Sequence, residues 1–130
     1  MPTPTRSDVL AYAFVTTTNA AQTTLVVDTM TEDNCSNSVL VTVIARRLSD
    51  GATKAWKFNA SSKRTTGDSE MSAQLLGNAV GTSDDLLALT LTSVAVDSVD
   101  QDMRVRVTGL NGTSILWFGR IEGDEICEGV

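Results

Sequence analysis

The side chains able to do chemistry in this chain are nearly all carboxylates. Asp84-Asp85 and the set Asp97, Asp100 and Asp102 are spaced closely enough to bind calcium or to act as an acid/base pair. The run Asp97-Ser98-Val99-Asp100-Gln101-Asp102 has the ligand density of a calcium loop, but lacks the glycine and distal glutamate of an EF-hand loop. Asp also caps turns while staying hydrated, so these clusters read as turn acids. Glu122, Asp124, Glu125 and Glu128 read in the same way, as a solvated or interface segment. A glycosidase would need two acids facing each other across a cleft, which a small chain with short loops rarely builds.

Histidine is absent. That removes Ser-His-Asp and Cys-His catalysis, most zinc sites and the commonest general base near neutral pH. Neither a P-loop nor a GxGxxG motif occurs, so no phosphate cradle and no cofactor is expected. Cys35 and Cys127 lie far apart without CxxC spacing, and a chain made in a reducing cytosol is expected to keep them as two free thiols. Among the aromatics, Trp56 and Trp117 fall on the apolar faces of alternating segments and read as core. Tyr12 and Phe118 are the aromatics left for a surface role, such as stacking on a sugar ring. Phe118 shares its face with Leu116 and Arg120, a pattern that suits a second buried layer or a subunit contact.

The elements that position these residues are strands. Threonine and valine are abundant, and both suit a pleated, half-buried surface. Proline occurs only at Pro2 and Pro4, so nothing in the body of the chain interrupts a strand. The 130 residues suffice for one domain with a real core. A net charge of −6 argues against phosphate-dominated nucleic-acid binding and against anionic membranes, and Arg46, Arg47, Lys54, Lys57, Lys63 and Arg64 read as a solvated strand face. No stretch is apolar for the length of a membrane span, and the first residues lack a signal-peptide core, so synthesis in a cytosol is expected.

Residues 1–7 read as an extended arm, 8–122 as the folded domain and 123–130 as an acidic tail. Alternation predicts strands over Val9–Thr16, Thr24–Met30, Val39–Arg47, Thr53–Ala60, Met71–Leu76, Leu87–Val96, Met103–Val107 and Thr113–Ile121. Thr31–Asn37, Ser61–Glu70 and Gly77–Asp85 read as loops. Asp50-Gly51 marks a tight turn, and Asn111-Gly112 is the strongest hairpin signal in the chain. About eight strands at regular spacing, with no repeat and no convincing helix, predict an all-β fold: an antiparallel β-sandwich or jelly roll.

Two segments carry a resemblance. Val39-Leu40-Val41-Thr42-Val43-Ile44-Ala45-Arg46-Arg47, a glycine turn and Ala55-Trp56-Lys57-Phe58 form one. The other is Val105-Arg106-Val107-Thr108-Gly109, an Asn-Gly turn and Ile115-Leu116-Trp117-Phe118-Gly119-Arg120-Ile121. Together they resemble a β-sandwich module of bacteriophage virion proteins, over roughly residues 24 to 122. The resemblance brings no catalytic residue and implies assembly or host contact. It leads to the expectation of a non-enzymatic capsid decoration (cement) protein on the outer capsid surface, a homo-oligomer (a trimer) bound to the major capsid protein. The arm residues Pro2, Thr3, Pro4, Thr5 and Arg6, together with Phe118, would make the contacts. The alternative is a tail-associated receptor- or glycan-binding module.

Overall fold

The computed structural model describes residues 6–31, 33–65, 72–81, 89, 93–99 and 102–128, with residues 72–81 and 99 described through their backbone. Eight strands run in chain order: β1 (Arg6–Thr17), β2 (Gln22–Thr29), β3 (Cys35–Arg47), β4 (Thr53–Arg64), β5 (Ser72–Gly81), β6 (Val94–Val99), β7 (Asp102–Thr108) and β8 (Ile115–Cys127). They form an antiparallel sandwich of a five-stranded sheet, ordered β1-β8-β3-β4-β5, and a three-stranded sheet, ordered β2-β7-β6. The all-β sandwich expectation therefore holds.

Period-two alternation builds the core. Val39, Val41, Val43 and Ala45 of β3 point inward beside Trp56 and Phe58 of β4 and Ile115, Trp117 and Ile121 of β8. Leu25 and Val26 of β2 and Met103, Val105 and Val107 of β7 close the layer from the other sheet. Trp56 and Trp117 stack with ring centroids 5.8 Å apart, and the indole Nε1 of Trp117 donates to Thr17 Oγ1 at 2.9 Å. Both tryptophans are core, as the alternation predicts. Gly119 on β8 faces Leu25 and Val26 so closely that a Cβ would lie 2.6 Å from Leu25 Cδ2.

Several boundaries differ from the sequence reading. β1 takes in Arg6 and Ser7, and β8 continues through Cys127, so neither the arm nor the acidic tail begins where composition suggests. Cys35–Asn37, Ser61–Arg64 and Gly77–Gly81 belong to β3, β4 and β5, not to loops. The Asn111-Gly112 turn, with Gly112 at φ 69°, is not a hairpin: β7 pairs with β2 and β6, whereas β8 pairs with β1 and β3. The chain crosses there from one sheet to the other, and the Gly112 N–H donates to Thr18 O. Asp50-Gly51 does close a hairpin, β3 to β4, with Arg47 forked onto Asp50. The Leu87–Leu91 alternation lies outside the described residues except at Leu89, which is fully buried.

The cysteines also overturn the expectation. The β3–β8 register sets Cys35 directly opposite Cys127, and the two sulfurs form a disulfide across a sequence separation of 92. Ladder register brings together residues that linear spacing keeps apart.

Candidate interaction surface

One end of the sandwich is closed by buried polar groups. Arg6 on β1 sends its guanidinium to Glu125 on β8, with Nε 3.2 Å from Oε2, and to Asp28 on β2, with Nη2 2.8 Å from Oδ1. One cation thereby ties the two sheets together. Asp28 Oδ1 faces that nitrogen as an ion pair. Asn37 Nδ2 donates to Asp28 Oδ2 at 3.3 Å, and Asn37 Oδ1 accepts from the Ser62 backbone N–H and hydroxyl. Burial pushes the Asp28 carboxyl above its ordinary range, and the Arg6 charge offsets part of that shift. The hydrogen bond that Arg6 donates to Glu125 holds the guanidinium yet more firmly protonated. The sulfurs of Cys35 and Cys127 and a carboxylate oxygen of Glu125 also lie within 4.8 Å of one another. The sulfurs are bonded to each other and Glu125 is occupied by Arg6, so as folded these groups serve as structure.

The five-stranded sheet turns its other face outward. Register sets the outward rows as Val9-Glu122-Leu40-Asn59, then Tyr12-Arg120-Thr42-Lys57, then Phe14-Phe118-Ile44-Ala55, then Thr16-Leu116-Arg46-Thr53. Tyr12 and Phe14 stand 68% and 63% exposed, and Val9 and Ile44 are exposed beside them. The Phe14 ring lies against Phe118 with centroids 5.0 Å apart. Beneath this rim Thr42 Oγ1 and Arg120 Nε are shut off from solvent without a hydrogen-bond partner. At the acidic end of the same face Asp8, Ser38, Asn59, Glu122 and Asp124 border a shallow depression of about 450 Å³.

Of the contact residues expected from sequence, Phe118 lies on this face as a half-buried platform under Phe14. Arg6 does not belong to a mobile arm, because it is fixed in the clamp with Asp28 and Glu125. Pro2, Thr3, Pro4 and Thr5 lie outside the described residues. Sequence reasoning missed Phe14, although the repeat Tyr12, Phe14, Thr16 on one side of β1 was the available signal. It also missed Asp28, the one charged residue of β2. Among the acids, Asp97 pairs with Arg106, and Asp102 pairs with Arg104 while accepting the Thr29 hydroxyl at 2.6 Å. Asp97 lies within β6 and Asp102 opens β7, so against the turn reading these are strand acids held in ion pairs. Asp84, Asp85 and Asp100 lie outside the described residues. Among the described residues no helix is long and apolar enough to cross a membrane.

No family model and no curated protein sequence matches the chain. A solved structure does share the fold: the tailspike protein of Acinetobacter phage vB_ApiP_P1 aligns with a TM-score of 0.52 at 9% identity. The alignment covers 89% of this chain and 22% of the tailspike chain, so most of this chain corresponds to about a fifth of that one.

Proposed function

We propose that this chain is a non-enzymatic structural module of a bacteriophage virion, located in the tail. The observation that supports this reading is the sandwich it shares with a segment of a phage tailspike. Its physical basis is a rigid body closed at one end by the Arg6 clamp and the Cys35–Cys127 disulfide, which holds one aromatic sheet face in fixed geometry. Such a body transmits contacts and needs no reacting group.

Separating tails from capsids in purified particles and probing both with an antibody to this chain tests the proposal. Recovery with tails is the expected result. Recovery on the shells would support the capsid-decoration reading instead, with the major capsid protein as partner. Absence from both fractions would end the virion reading. A glycan array run with the same protein addresses the receptor-binding version of the tail reading, in which Tyr12 and Phe14 would stack on sugar rings.

A further inference from the structure

We propose that the outward side of β1, with the strip formed by Tyr12, Phe14, Phe118 and Ile44, is the surface through which copies of this chain associate around a symmetry axis. The proposal is independent of the virion reading.

Four observations converge on it. β1 is an edge strand, and from Ala11 to Thr17 its pairing with β8 is regular, so among the described residues its other side offers an open ladder. The devices that usually keep such an edge from pairing are missing there: Ala11–Thr17 carries no proline, no lysine and no other charge. The irregularity between Val9 and Ala11, with Asp8 at φ 75°, guards only the first part of the strand.

The exposed aromatics sit on this same strand. At 68%, 63%, 48% and 39% exposure, Tyr12, Phe14, Val9 and Ile44 offer on the order of 400 Å² of surface per copy, so two strips meeting would cover on the order of 800 Å². That approaches the roughly 1,000 Å² a specific interface requires. Aromatic residues flanked by arginine are also the composition found at the centres of interfaces, here with Arg120 and Arg46 in the adjoining rows. A second copy is the occupant these features fit, because it brings a matching edge and a matching aromatic strip at once.

Sedimentation velocity on the full chain over a dilution series tests this. The expected result is the mass of two or three chains at high concentration. Phe14→Lys and Tyr12→Lys should each raise the dissociation constant roughly thirty-fold or more. Ala95→Lys, exposed on β6 of the other sheet, should leave it unchanged. Hydrogen exchange on the unmodified chain gives a readout that needs no substitution: the β1 amides from Ala11 to Val15 should gain protection as concentration rises. A single-chain mass at every concentration would overturn the proposal. So would an assembly that neither β1 substitution weakens and in which β1 gains no protection.

Discussion

Arg6 and Asp28 meet at 2.8 Å across the gap between the two sheets, one on the first strand of the larger sheet and the other on the second strand, in the smaller. Asp28 is almost completely buried and shares the cation with Glu125, so two carboxylates lean on one guanidinium. Removing the cation strands both acids. Arg6→Met should destabilise the fold by about 2–4 kcal/mol, somewhat less than the roughly 3–5 kcal/mol for breaking a fully buried pair because the guanidinium is one-third exposed. Urea denaturation compared with the unmodified chain reads the difference.

The same site sets a pH dependence. Burial raises the Asp28 carboxyl above its unfolded value, so the folded protein binds a proton there more readily than the unfolded chain does. Acidification through that window, from neutral pH toward the ordinary carboxylate value, therefore adds stability at this position. Asp28→Asn cannot gain it. The stability of the unmodified chain minus that of Asp28→Asn should become more favourable as pH falls from 7 through the raised value. A difference that stays flat with pH, or moves the other way, would show that Asp28 ionises normally in the fold.

The disulfide closes a loop across a separation of 92 residues and joins β3 to β8 beside the clamp. Loop-closure entropy puts its contribution at about 2–5 kcal/mol. Reduction, or the paired change Cys35→Ser with Cys127→Ser, should lower the thermal midpoint while leaving the β-sheet circular dichroism of the folded state intact. Unchanged melting under reductant would mean that the bridge adds nothing to stability.

How much of this was legible in the sequence depends on which face of a strand one reads. The inward valines of β3 and the two tryptophans were plain, because apolar alternation reports burial directly. The ends of β3, β4 and β8 were not. There the inward positions are Asn37, Ser62, Arg64 and Glu125, polar residues that mimic loop composition until their partners are known. The pairing of Cys35 with Cys127 required the register of two strands, which no local pattern carries. Asn111-Gly112 encodes a reversal of the chain but not the sheet that the next strand joins. Phe14 was readable as an outward residue, yet only the placement of β1 at the sheet edge gives its exposure a meaning.

The Trp117–Thr17 hydrogen bond is buried between β8 and β1. Thr17→Val keeps the shape of the side chain and removes the acceptor, leaving an indole N–H in the core with nothing to bond. The expected cost is about 1–3 kcal/mol. Trp117→Phe made in the Thr17→Val background should then cost less than Trp117→Phe made alone, because the orphaned donor leaves with the indole. Additive losses in this double-mutant cycle would show that the bond carries no coupling energy.

At Gly119 β8 passes close beneath β2. A methyl group there would sit 2.6 Å from Leu25 Cδ2 and 3.0 Å from Val26 Cγ1, both in the closed core. Gly119→Ala therefore forces the two sheets apart or drives Leu25 from its rotamer, at about 1–3 kcal/mol. Leu25→Ala opens space at the same contact and should be destabilising alone through the cavity it leaves. Combined with Gly119→Ala, it should cost less than the sum of the two, since each change relieves the fault of the other. Thermal denaturation of the four proteins measures the coupling. Simple additivity would mean that the sheets accommodate the methyl group by moving elsewhere.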